Sequence, residues 1–331
     1  MIGEPVLAFE VDEQIRHYLA TGNHDSNFIG WPGCNFVEAA MQASDGYRDA
    51  LVNEVLARAS SPAKRSPLGA SSILNLTRSK VAPMVAGLFS KAEREDVLAI
   101  VERSVVFLTP ENIVRVLRSE RWLHTAWSLA NLYLVSIGVE PLSDDAPVIV
   151  GLSQETTCYV SMAYFDETDL CADFIVHEVA HIFHNCKRAT VDLPATRRHE
   201  WLLDIDFRKR ELFAYACEAY SCILAAGETR ERRIDALARH VEGELPSDET
   251  VDVDEYLSIL AESVRSRIGW KVILADKAGQ AARHWIARTG FTMSQSAAVL
   301  QPYQKKRLYA PSICGVSIKS CYSFLPPNTV I

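Results

Sequence analysis

The sequence predicts an α+β fold that is predominantly helical, and three observations carry that expectation. Helical periodicity dominates most of the 331 residues. Two short β-rich runs interrupt it, Pro147 to Gly151 and Thr157 to Phe165. A single long amphipathic pattern follows them and contains two histidines four residues apart, His177 and His181. Apolar residues make up 48% and charged residues 23% of the chain, close to ordinary globular usage, which excludes disordered, collagen-like and simple coiled-coil classes.

Taken in order, the first helix is expected over Val11 to Ala20, before the turn-rich stretch Thr21 to Asn27. Trp31, Pro32 and Gly33 punctuate the chain before a second helix, Phe36 to Ala59. Ser60 to Ser66 reads as a loop or linker by composition. Helices are then expected over Ser72 to Phe89, Lys91 to Val106, Pro110 to Arg118 and Trp122 to Ile137. Thr109 would cap the third of these, with Pro110 at its first position. The apolar stretch Leu123 to Val139 is broken by His124, Thr125, Ser128, Asn131 and Ser136, so it reads as a buried helix and not a membrane span. Character changes near Asp144, which suggests three regions: a helical 1–143, a core over 144–228 and a helical 229–331. The tail from Gln301 to Ile331, with its Pro-rich punctuation, reads as irregular.

Net charge is −8. An acidic chain is a poor general binder of nucleic acid, because phosphate contacts need clustered positive charge, and it has no electrostatic pull toward an anionic membrane. The N-terminal MIGEPVLAFEVDEQ is acidic where a signal peptide would be basic and then apolar. Eight cysteines without a CxxC pair therefore suggest free thiols and a cytoplasmic protein.

The chemistry is concentrated in His177-Glu178-Val179-Ala180-His181, an HExxH sequence. Residues four apart on a helix differ by about 40° around the axis and about 6 Å along it, so both imidazoles can reach one ion. Glu178 lies about 100° round from His177, beside the ion, where it can act on bound water. Thr168 would cap this helix, with Asp169 and Asp173 in the first turns. Asp173, His177, Glu178, His181 and His184 share one face; Ile175, Val176, Val179, Ile182 and Phe183 share the other. That separation lets one face carry chemistry while the other anchors the helix.

On these residues the chain resembles the zincin metallopeptidases, and among them the gluzincins. The resemblance implies a zincin-like core with a short sheet, the HExxH helix and a downstream glutamate helix. It also implies zinc held by His177, His181 and a later glutamate, and Glu178 as general base. It further implies an edge strand over the helix that holds an extended peptide, a place that Thr157 to Phe165 would take. Three glutamates compete as third ligand. Glu200 follows His181 after eighteen residues, the spacing of the M1 aminopeptidase-like group, and opens Glu200-Trp-Leu-Leu-Asp204, similar to the E-x-x-x-D of thermolysin-like enzymes. Glu211 follows after twenty-nine, in Glu211-Leu-Phe-Ala-Tyr-Ala-Cys-Glu218, which looks like the M1 E-G-F-A-x-Y-x-E stretch with Leu212 for Gly and Tyr215 displaced by one. Glu218 is the third.

Glu211 is preferred, because Trp201 to Arg208 alternates like extended chain while Phe207 to Leu224 reads as a helix that could pack beside the HExxH helix. Glu211 and Glu218 lie about 10.5 Å apart along that helix, so one alone can bind the ion and the other would orient a ligand or face solvent. His184, as far from His177, is likewise expected behind a ligand or on the surface. His199, Tyr215 and Tyr220 are possible oxyanion donors, and nothing pairs Cys186 with a base. The expected function is a zinc-dependent hydrolase acting on a peptide or protein substrate through metal-activated water. The competing expectation is a zincin-like metal-binding regulatory or interaction protein without effective proteolysis.

Overall fold

The computed structural model describes residues 4–59, 69–147, 149–167, 171–194, 200–243 and 245–275. The expected linker Ser60 to Ser66, Thr168, His199 and the tail from Gln301 lie outside them. Among the described residues the chain is mostly helical with one three-stranded sheet, as expected for a predominantly helical α+β protein. No described helix is long and apolar enough to cross a membrane.

Helix α1 (Glu4–Thr21) and α2 (Phe36–Arg58) come first. Asn35 caps α2, its side chain accepting from the Glu38 N–H. Helices α3 (Ala70–Leu88) and α4 (Arg94–Ser104) follow. The expected helix through Val106 stops at Ser104 because Val105–Phe107 leaves it as a strand, β1. These three apolar residues gain more from pairing in the sheet than from another helical turn. Helix α5 (Ile113–Ser119) starts three residues later than Thr109-Pro110 suggests. The Asn112 side chain accepts from the Thr109 N–H and donates to the Phe107 carbonyl, holding 109–112 as a turn. Helix α6 (Leu123–Ser136) is the apolar one, and it is buried.

The two β-rich runs are displaced from their expected bounds. Strand β2 is Gly151–Gln154 and β3 is Thr157–Val160. They form a hairpin, with Glu155 at the turn in the left-handed region (φ 48°). Met162–Asp166 is a 3-10 turn rather than the end of a long strand, started by the Ser161 side chain accepting from the Ala163 N–H. The strand order is β1-β3-β2. Strand β3 is therefore central, parallel to β1 (Val105↔Cys158) and antiparallel to β2 (Gly151↔Val160). This corrects the expectation that Thr157 to Phe165 forms the edge: the edge strand against the HExxH helix is β2.

After the sheet come α7 (Phe174–Asn185), α8 (Arg210–Ala226), α9 (Arg230–Glu242), α10 (Val253–Arg265) and α11 (Gly269–Ala275). The alternation of Trp201 to Arg208 yields one isolated bridge, Lys187↔Trp201, and a 3-10 turn at Phe207–Lys209, not a strand.

Two hydrophobic cores organise these elements. One joins α1, α2, α5 and α6 around Tyr18, Tyr47, Leu51, Trp127 and Leu129. The other joins α3, α4, the sheet, α7, α8, α10 and α11 around Met84, Val101, Val160, Val179, Phe183 and Ile223. Elements from both sides of residue 144 thus share the core that carries the HExxH helix. In that core α3 and α11 pack closely enough that any β-carbon at Gly87 would overlap the Trp270 ring.

The thiols also depart from expectation. Cys171 and Cys222 form a disulfide with Cα atoms 5.2 Å apart, within the usual span. The fold brings them together because α8 runs alongside α7, laying Cys222 against the turn that leads into α7. Cys34, Cys158, Cys186 and Cys217 are free.

Candidate metal centre

Helix α7 starts later than Thr168. Asp173 is the capping residue, its side chain accepting from the Val176 N–H at 3.4 Å. Its other carboxylate oxygen pairs with Lys80 of α3 at 2.8 Å. At the far end, the Phe183 and Cys186 carbonyls accept from the Leu203 and Leu202 N–H groups at 2.7 and 3.0 Å. The segment after residue 200 thereby satisfies carbonyls that the helix itself leaves open. Both ends of α7 are tied, so its register is set before any ligand is considered.

The apolar face is buried as expected: Ile175, Val176, Val179, Ile182 and Phe183 are inaccessible. The polar face does not open to solvent. Helix α8 and strand β2 cover much of it, and His177, Glu178 and His184 are buried too. Burying that many polar groups is tolerable only if each finds a partner, and the partners define the site.

His177 Nε2 and His181 Nε2 face each other at 3.2 Å. Glu211 Oε2 lies 3.8 Å from the first and 3.5 Å from the second. Ligand atoms about 2.0–2.2 Å from a tetrahedral zinc stand roughly 3.3–3.5 Å apart, and these three edges bracket that spacing. Among the described residues this is the group of three whose ligand atoms converge closely enough to hold a metal. Two imidazole nitrogens and a carboxylate oxygen at the corners of one small triangle could hold a cation. Glu211 is the most open member, its side chain 31% exposed against 9% for His177 and 12% for His181.

The other glutamates are sorted by packing. Glu218 accepts from His177 Nδ1 at 3.0 Å and from the Asp173 N–H at 2.7 Å. It sits behind His177, fixes the ring, and leaves Nε2 to face the site. Glu200 is exposed and pairs with Lys187 at 2.6 Å, so its carboxylate is engaged elsewhere. His184 lies behind His181, its Nε2 3.0 Å from His181 Nδ1. Of the tyrosines, Tyr215 packs edge-on against His177 with ring centroids 4.6 Å apart. Tyr220 packs on Trp270 and its hydroxyl end fills the space beside Gly269, away from the histidines. Cys186 is buried beside Lys187, and burial pushes its thiol up to about 11.

Glu178 is 8% exposed. The Ser153 hydroxyl of β2 bonds its carboxylate Oε2 and lies 2.8 Å from its backbone carbonyl. A β-carbon at Gly151 would come within 2.6 Å of the Glu178 carboxylate. Glycine at the start of β2 is what allows the strand and the glutamate to lie this close. In the sequence Gly151 reads as the end of a β-rich run, whereas it opens β2 and gives Glu178 its room.

Electrostatics follow the geometry. Burial alone would push His177 down, but the neighbouring carboxylates of Glu211 and Glu218 carry it well above the usual histidine range. Burial alone would raise Glu211, but His181 and His177 hold it well below the usual carboxylate range. Burial, then His181 and Arg210, push His184 well below the usual range. The cluster without an ion is therefore an anion between two imidazoles, one of them drawn toward its charged form; a divalent cation would take over that proton's role. Comparison of the chain with family profiles, with characterised proteins and with solved structures finds no match.

Proposed function

We propose that the chain is a zinc-dependent hydrolase with a zincin-like, gluzincin-type core, acting on a peptide or protein substrate. The observation that carries the reading is the convergence of His177 Nε2 and His181 Nε2 of α7 with Glu211 Oε2 of α8, where the residue after His177 is a glutamate. Three protein ligands leave a fourth position, which is the pattern of catalytic rather than structural zinc. Zinc, when bound, supplies a Lewis acid that polarises a carbonyl and makes water nucleophilic near neutral pH.

The chain's own residues then divide the work. Glu218 and His184 hold the two imidazoles from behind. Glu178 takes the proton of the attacking water on its carboxylate and passes it to the leaving amine. Tyr215, beside His177, is the tyrosine assigned to the developing oxyanion. The outer edge of β2, unpaired among the described residues, offers backbone groups to an extended peptide. The net charge of −8 supports a peptide over nucleic acid as the target, and no membrane is needed. The acidic N-terminal stretch supports a cytoplasmic location, and the Cys171–Cys222 disulfide stands against it. Alkylating the protein as cells are quenched, then measuring its mass, tests this: a reducing cytoplasm leaves Cys171 and Cys222 as thiols, an oxidising compartment leaves them joined.

The decisive experiment is Glu178→Gln in the full chain, assayed on a peptide library that the wild type cleaves. The variant is expected to retain about one zinc per chain and to lose roughly 10²–10⁴-fold in turnover. Full activity in that variant removes Glu178 from the mechanism.

A second reading has one observation in its favour. Glu178 is nearly buried and is held by Ser153 against Gly151, an arrangement that also suits a metal-binding interaction protein with little proteolysis. That reading gains if the wild type binds zinc stoichiometrically and cleaves nothing in the library.

A further inference from the structure

The two histidines of the centre are steadied by different chemistry. His177 has a carboxylate behind it, Glu218. Behind His181 is a second imidazole: His181 Nδ1 lies 3.0 Å from His184 Nε2, and His184 Nδ1 lies 3.1 Å from Asn185 Oδ1. His184 is 2% exposed, so water cannot stand in for either partner.

We propose that His184 is a positioning residue for the metal centre: it accepts the Nδ1 proton of His181 and so holds that ring in the tautomer whose Nε2 lone pair faces His177 and Glu211. The proposal rests on the metal-binding reading above. Its logic is donor and acceptor accounting along one chain. A neutral imidazole has one N–H and one lone pair. If His181 Nε2 is to bind a cation, Nδ1 must carry the hydrogen, and the atom facing it must accept. His184 Nε2 faces it, so the hydrogen of His184 must be on Nδ1. Nδ1 in turn needs an acceptor, and Asn185 Oδ1 is there. The direction is set from the metal end, and the Asn185 amide closes the chain with its oxygen turned to His184. An Asn185 amide nitrogen in that place would reverse the chain and put a hydrogen on His181 Nε2, where the ion should sit. The sequence His181-Ile-Phe-His184-Asn185 thus encodes the relay within the last turn of α7, because residues three apart share a helix face.

The test compares zinc affinity, by competition with a chromogenic chelator, for wild type, His184→Leu and His184→Gln in the full chain. His184→Leu removes the acceptor and is expected to weaken zinc binding about 10–100-fold. His184→Gln can still accept from Nδ1 and is expected to recover most of it. Cobalt substitution adds a readout that loose packing alone would not move: the visible spectrum of the Leu variant should shift and that of the Gln variant should stay near wild type. If a buried leucine prevents folding, the partly buried Asn185 carries the same test. Asn185→Leu should weaken zinc severalfold, and Asn185→Asp, an obligate acceptor, should bind at least as tightly as wild type. Equal zinc affinity in wild type and His184→Leu, or equal weakness in the Leu and Gln variants, overturns the proposal. If the wild type binds no zinc at all, the metal reading fails separately. The relay is then decided by ¹⁵N spectra of the metal-free protein at alkaline pH: hydrogen on His181 Nδ1 sustains it, and hydrogen on Nε2 overturns it.

Discussion

Helices α6 and α7 are both apolar and both buried, yet they handle buried polar groups in opposite ways. In α6 the Ser128 hydroxyl bonds the His124 carbonyl, Ser136 bonds Tyr133, and Asn131 donates to Trp127. These three side chains close on their own helix, and Asn131 adds one bond outward, accepting from the Leu142 N–H; the Trp127 indole N–H, also outward, ends on the Leu19 backbone carbonyl and not on another side chain. In α7 the polar groups reach other elements: His177 to Glu218 and Glu211 on α8, and Glu178 to Ser153 on β2. The first pattern spends polar groups on local satisfaction and leaves nothing to react. The second leaves two imidazole nitrogens and a carboxylate oxygen facing one point. Burial of polar residues is thus not in itself a sign of function; the direction in which their lone pairs converge is.

That contrast can be broken by mutation. The largest effect is expected at the point of convergence: Glu211→Ala should lower zinc affinity by roughly three orders of magnitude, one of three protein ligands being lost. Glu200→Ala, whose carboxylate pairs with Lys187, should leave affinity unchanged. Zinc titration of both variants checks this, and loss in the Glu200 variant alone would transfer the third ligand to it. Next comes Leu132→Ala in α6, a side chain 1% exposed, expected to cost about 2–5 kcal/mol in denaturant unfolding. Zinc stoichiometry per folded molecule should not change, because the site lies in the other core. Glu218→Gln should follow, weakening zinc about 10–100-fold by removing the charge behind His177 while retaining a hydrogen-bonding group of the same size. The smallest is Asn131→Ala, expected to cost about 1–3 kcal/mol by leaving the Leu142 N–H without its acceptor, again with no change in zinc. A zinc defect in either α6 variant would erase the distinction between the two helices.

How much of the site was legible depended on how local its geometry is. His177, Glu178 and His181 could be related from spacing because a helix sets the angle between them. The pairing of Glu211 with Glu218 was half legible: their separation along α8 showed that one alone could be a ligand, and their helix was visible in the periodicity. Which of the two faces the histidines was not, because that is set by how α8 packs on α7. Strand β1 went unread because three residues, Val105–Phe107, gain their partner from β3 more than fifty positions later. The hairpin edge was assigned to the wrong strand for the same reason. Cys171 and Cys222 gave no hint of pairing, being 51 residues apart and joined through helix packing alone.

By itself the sequence determined a mostly helical α+β chain, an amphipathic helix with HExxH on one face, and a net charge of −8. All of these follow from composition and from periodicities that span a few turns. The tertiary structure alone decided that Glu211 completes the triad and that Glu218 and His184 stand behind its histidines. It also decided that β2 forms the edge and that Glu178 lies against Gly151. Each of these is a contact between elements distant in sequence, and such contacts are selected by packing two buried surfaces together rather than by the local preferences of either segment.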